Sequence, residues 1–141
     1  MRLTLPLTFL LGGLVGAAVA SDPVRGHVVS VDDAPLKTAP HGKASVRVLS
    51  GEAESAFFGM LTIDPGVTIP VHRDASEEFV YMLEGGGVIQ IDGVESVVGP
   101  GDAVFMPANS AVTFAATAAG PSKVLQVFAP TTSAAKYDGW K

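Results

Sequence analysis

Between residues 45 and 129 the chain is a series of short runs rich in Val, Ile, Phe and Thr, each ended within six to ten residues by Gly, Pro, Asn or Asp. Such spacing points to β-strands. The predicted strands are 45–49, 56–63, 67–71, 78–83, 87–91, 95–98, 103–106, 111–116 and 123–129. Between them, Asp64-Pro65-Gly66, Gly85-Gly86-Gly87, Asp92-Gly93, Gly99-Pro100-Gly101 and Gly120-Pro121 supply positive-φ or preset-φ turn positions. Asp92-Gly93, flanked by two apolar runs, is the strongest hairpin signal. No stretch here keeps a capped 3.6-residue apolar period, and the Ala-rich run from Ala111 to Ala119 is interrupted by Thr113 and Thr117. An all-β domain follows. Nine short strands require a sandwich, a jelly roll or a small barrel, because one open sheet would leave an apolar face and two edges in water.

The 141 residues suffice for one such domain and hardly for two. Residues 1–20 combine Arg2, an apolar run from Leu3 to Val19 and the small-residue pattern Ala18-Val19-Ala20, and read as a cleavable secretory signal. The alternative is an uncleaved membrane anchor, which Pro6, Gly12, Gly13 and Gly16 disfavour. Residues 21–44 read as an N-terminal arm, 45–130 as the β-domain and 131–141 as a C-terminal tail. Without the leader the chain carries 8 basic and 14 acidic residues, a charge of −6, and no Lys/Arg cluster. That surface repels phosphate, so neither nucleic acid nor, after leader removal, a membrane is an expected partner. The chain has no Cys, which excludes disulfides, thiolate ligands and thiol nucleophiles. Secretion or a periplasmic location is the expectation.

One segment, residues 65–87, sets a His and several carboxylates among strand-like residues. His72 and Asp74 share parity along an extended chain, and a turn through 75–77 returns Glu78 beside them. One imidazole and two carboxylates form an N/O donor set suited to Mn²⁺, Fe²⁺, Ni²⁺ or Zn²⁺. Alternatively, Asp74 caps the following turn. Glu78, Val80 and Met82 alternate against Phe79, Tyr81 and Leu83, so Glu78 shares a face with apolar residues and needs a metal, a His⁺ or a proton. Glu77 has the opposite parity and is expected to face solvent.

The spacing Gly66, His72, Asp74, Glu78, Gly85 resembles the first signature motif of the cupin superfamily, with Asp74 where a second His is usual. Gly101-Asp102-Ala103-Val104-Phe105-Met106-Pro107 resembles the opening of the second motif, but Val112 stands at the place of its His ligand. The resemblance implies a double-stranded β-helix, or jelly-roll barrel, whose lumen holds a divalent metal and a small substrate, often in a homodimer. Because Val112 cannot ligate, two outcomes stay open. Either a three-ligand metal site of His72, Asp74 and Glu78 keeps open positions for substrate, or the lumen binds an organic ligand directly.

Gln126, between Val124 and Phe128 on one strand face, is a lumen donor and acceptor in either case. Tyr81, Phe105, Val112 and Phe114 complete the expected substrate-binding set. Phe57, Phe58 and Phe128 are assigned to the core, which is also the alternative to a substrate-facing place for Phe105 and Phe114, and His27 and His41 are assigned to exposed loops. Tyr137 and Trp140 either cover the barrel mouth or a partner subunit, or lie in an exposed tail. Three classes of function follow: an exported small-molecule binding protein, a metal-dependent dioxygenase, isomerase or lyase with Gln126 or Tyr81 orienting substrate, and a non-catalytic dimeric interaction module.

Overall fold

A computed structural model describes residues 25–141; the expected leader, 1–20, lies outside them. All nine predicted strands are present, each end within one residue of its expected position. They are joined by a short strand from the arm, so the order is β1 (Leu36–Thr38), β2 (Ala44–Val48), β3 (Phe57–Ile63), β4 (Thr68–His72), β5 (Glu77–Glu84), β6 (Gly87–Ile91), β7 (Val94–Val98), β8 (Ala103–Met106), β9 (Val112–Ala116) and β10 (Ser122–Ala129). A 3-10 helix, Thr131–Gly139, follows.

The strands form two antiparallel sheets, β1-β2-β3-β10-β5-β8 and β4-β9-β6-β7. From β3 onward each connection passes from one sheet to the other, except the β6–β7 hairpin. That hairpin turns on Asp92 (φ 48°) and Gly93 (φ 86°), the two positive-φ residues a type I′ turn requires, and pairs Ile91 with Val94. The β5–β6 crossing is tighter. At Gly85 (φ 72°) a Cβ would lie 2.4 Å from the Pro121 carbonyl oxygen, so only glycine fits. Buried Ser122 bonds both backbone groups of Gly86 there. This is the jelly-roll barrel, with an apolar core between the sheets.

Strand alternation decides what the lumen contains. β10 buries Val124, Gln126 and Phe128, β5 turns Glu78, Val80 and Met82 inward, and β9 adds Val112, Phe114 and Ala116. The same alternation puts Phe58 outside at 38 % exposure, which corrects its assignment to the core.

The C-terminal segment is docked along the barrel. Ser76 and Ser133, both buried, exchange N–H···Oγ bonds of 3.0 Å each, tying the start of the 3-10 helix to the β4–β5 loop. At the other end Lys141 N–H donates to the Thr38 carbonyl at 3.0 Å, and Lys37 Nζ donates to the Tyr137 carbonyl at 3.2 Å. The arm strand β1 thus serves as the edge on which the chain end rests.

Phe128 is fully buried, with its ring centroid 6.0 Å from Phe57 and 6.4 Å from Tyr137. Phe128→Ala is expected to cost about 3–5 kcal/mol in urea unfolding, because the segment cannot collapse into the space left. Val97→Ala, at a position on β7 that is 82 % exposed, should change stability by less than about 0.5 kcal/mol.

Candidate functional site in the barrel lumen

A cavity of about 480 Å³ opens between the sheets. Its wall is apolar, with Leu61, Val80, Met82, Ile89, Met106 and Phe114 among its lining. Against this wall stand His72, Asp74, Glu78, Gln126, Lys136 and Tyr137.

His72 ends β4, an edge strand of its sheet, and lies opposite Val112 of β9 after an irregularity in register that follows Ile69. Pro70 falls within that irregularity, at a sheet edge where its missing N–H costs no ladder bond. The Pro70 carbonyl accepts a 3.0 Å bond from His72 Nδ1, which places a ring proton on Nδ1 and fixes the ring's orientation. Nε2 is 3.7 Å from Asp74 Oδ2. The Asp74 carboxylate accepts from Lys136 Nζ at 2.7 Å on each oxygen. It therefore holds a cation and does not cap the turn.

Glu78, on β5, is 7 % exposed and sits opposite Phe128 and Met106 on the neighbouring strands. Its Oε1 accepts a 2.6 Å bond from Gln126 Nε2, and Gln126 Oε1 accepts a 2.6 Å bond from the Tyr137 hydroxyl. Three elements thus contribute one directional chain, Tyr137 to Gln126 to Glu78, and all three side chains are buried. Burial pushes the Glu78 carboxyl above the usual range, and the nearby Asp74 charge adds to the rise. The Gln126 bond, Lys136 and His72 oppose it without cancelling it. Burial also raises the Tyr137 phenol, followed by the Glu78 charge, so the hydroxyl stays a donor. Among the described residues Glu78 Oε2 has no hydrogen-bond partner within the protein, and no buried side-chain oxygen or nitrogen is left unpaired, so Oε2 is open to the cavity. The chemistry presented to a guest is an imidazole nitrogen, His72 Nε2, and a carboxyl that holds its proton more tightly than usual.

The divalent ion that the motif resemblance implies does not fit this arrangement as it stands. Among the described residues no three His, Asp or Glu side chains gather to hold one. Asp74 is already neutralised by Lys136, and Val112, opposite His72, offers no donor. Val112 and Phe114 do line the cavity, as does Gln126. Tyr81 and Phe105, expected to face a substrate, do not: they lie on the outer face at 46 % and 49 % exposure, with Phe105 against Phe79. With Glu78, Val80 and Met82 turned inward on β5, and Val104 and Met106 on β8, the residues between them must point out. Lys136 is the site residue that sequence reasoning missed. The aromatic pair Tyr137 and Trp140, 4.8 Å apart in an otherwise polar tail, was its one signal. His41 is exposed, as expected, yet it borders the cavity.

The raised Glu78 carboxyl makes stability fall with pH. Its folded value exceeds its unfolded one, so its contribution is complete below the ordinary carboxyl range and lost as pH rises through the folded value. Glu78→Gln keeps an oxygen for Gln126 to bond and removes this titration. The variant should be about as stable as the native protein near pH ~4 and more stable at pH ~8, read from urea midpoints at the two pH values.

Comparison with known proteins supports the same architecture. Residues 59–128 match the family model described as Cupin domain, a span from within β3 to near the end of β10. The dimethylsulfoniopropionate lyase DddW of Ruegeria pomeroyi is 31 % identical over 95 residues, which is 62 % of this chain and 62 % of that protein. The chain thus spans less than two thirds of that relative's length. Among solved structures, KdgF from Halomonas sp. superposes with a TM-score of 0.68 at 16 % identity, covering 75 % of this chain and 94 % of that one. An RmlC-like cupin from Shewanella frigidimarina gives 0.66 at 20 % identity, covering 75 % and 92 %. At those identities the likeness is one of fold. With the two motifs, the two-sheet barrel and the matched model in agreement, the chain is a small cupin-domain protein of the cupin superfamily.

Proposed function

We propose that this protein binds a small organic molecule in the barrel lumen, its apolar body against the Leu61, Met82, Ile89 and Phe114 wall and one polar group at His72 and Glu78. The observation that carries this reading is the cavity itself. Its volume of about 480 Å³ lies in the range of small-molecule sites, and it joins a mostly apolar wall to a few fixed polar groups, the usual make-up of such sites. The Tyr137–Gln126–Glu78 chain supports it, because a pre-ordered donor set need not be organised on binding.

A second reading is favoured by the likeness to a lyase. In it the guest is also turned over: His72 Nε2 takes a proton from a guest carbon as the neighbouring C–S bond breaks, the sulfur leaves as a neutral sulfide with that bond's electrons, and the proton passes on to solvent. The relative's substrate, dimethylsulfoniopropionate, is the first compound to try. The apolar run of residues 1–20 supports export as part of the proposal, with Ser21 as the mature N-terminus.

A homodimer is proposed on a separate observation. On the outer face of the six-stranded sheet, Phe58, Val127, Phe79 and Phe105 form one cross-strand row, and Met60, Leu125, Tyr81 and Ala103 form the next. Phe58, Phe79, Tyr81 and Phe105 are 38–49 % exposed, as is Leu83 beside them. At the size of aromatic side chains this is about 400 Å² of apolar surface, roughly half of one partner's share of a stable interface. A second copy of the same face is its expected cover.

Three measurements test these readings. A thermal-shift screen of compounds with an apolar body and one carboxyl, hydroxyl or amide group should raise the melting temperature for at least one class, and Val112→Phe, which fills the lumen, should abolish that rise. No shift for any class, or a shift unaffected by Val112→Phe, counts against lumen binding; consumption of dimethylsulfoniopropionate followed by proton NMR, and lost in His72→Ala, separates turnover from binding alone. For the dimer, light scattering should give twice the chain mass for the native protein and the single chain mass for a Phe79→Asp/Phe105→Asp variant.

A further inference from the structure

The family-matched stretch ends at residue 128, and the cation that pairs with Asp74 comes from beyond it, at Lys136. Its placement is not that of a loose surface lysine. Nζ is 2.7 Å from both oxygens of Asp74, the length of a charge-assisted hydrogen bond, and 4.7 Å from the centroid of the Phe128 ring. The backbone that delivers it is held by the Ser76–Ser133 pair on one side and by the Tyr137 hydroxyl on the other. The donors around it are those an ion would use. His72 Nε2 and Asp74 Oδ2 are 3.7 Å apart, within the span of two ligands each ~2.1 Å from one ion.

We infer that the Lys136 ammonium occupies the cation position of this lumen, so that the site of His72, Asp74 and Glu78 works with a resident side-chain cation in place of a divalent metal. One fixed positive charge neutralises Asp74, and a metal ion entering beside it would meet repulsion from Lys136 and find one carboxylate already engaged. Opposite His72, Val112 adds no donor to offset that loss. The consequence for the ligand is chemical: its polar group is met by hydrogen bonds from protein side chains, and neither chelators nor added metal alter its binding. The inference concerns the cation position alone and stands or falls apart from whether the lumen holds an organic guest.

The test uses the full protein, stripped with chelator and dialysed, as the native chain, Lys136→Gln, Lys136→Arg and Lys136→Gln/Asp74→Asn. Each is exposed to NiCl₂, MnCl₂ or ZnCl₂ at about 1 mM, and bound metal by elemental analysis and the melting temperature are read together. The native chain and Lys136→Arg should retain no ion and show no rise. Lys136→Gln should retain about one ion per chain, with binding at least ~10-fold tighter than native and a raised melting temperature, and the double variant should lose both. Should Lys136→Gln not fold, Lys136→Met preserves the aliphatic stem against Phe128 and reads the same quantity. Stoichiometric metal on the native chain at the affinity of the Gln variant would overturn the inference. So would a folded Lys136→Gln or Lys136→Met that binds no ion.

Discussion

A carboxyl group enclosed between two apolar sheets is expensive unless it is neutralised or hydrogen-bonded, and the organisation of this barrel around Glu78 meets both conditions. Gln126 reaches it from the adjacent strand, Tyr137 orients Gln126, and Lys136 and His72 set the local charge. Two of these partners belong to the segment after the last strand. Seating that segment in turn requires Ser76 in the β4–β5 loop and the arm strand β1 at the sheet edge. The N-terminal arm, the chain end and the lumen are therefore one mechanical unit, although the family-matched portion contains neither end.

The apolar wall and the polar cluster are products of one rule applied to different strands. Alternation along β5 sends Glu78 inward with Val80 and Met82 and sends Phe79 and Tyr81 outward with equal necessity. The lumen and the outer aromatic rows are thus two sides of the same pleat. A substitution that shifted the register of β5 by one residue would exchange a buried acid for a buried aromatic and empty both surfaces of their character. Such coupling explains why the register is held from both sides, by β10 and by β8.

Much of this is legible in residue order. The strand ends follow from turn residues, the inward set on β5 and β10 from parity, and His72, Asp74 and Glu78 as neighbours on one cavity from their spacing. Parity also argued against Tyr81 as a substrate contact, since it alternates with Glu78. Phe105 follows the same logic through Met106. Where the reading fell short was after residue 130, with Lys136 unforeseen and Tyr137 left between covering the barrel mouth and lying in an exposed tail. There Lys136 and Tyr137 lie in a short polar stretch with no period, and a 3-10 helix leaves little mark in composition.

The sequence by itself determined an all-β chain, its strands and their inward faces, because alternation and turn chemistry act between residues close along the chain. Which cation Asp74 would hold, and what Glu78 would bond, was decided only by tertiary structure. Lys136 is 62 residues from Asp74 and Gln126 is 48 from Glu78. No local preference brings such pairs together; closing the barrel and docking the chain end against it does.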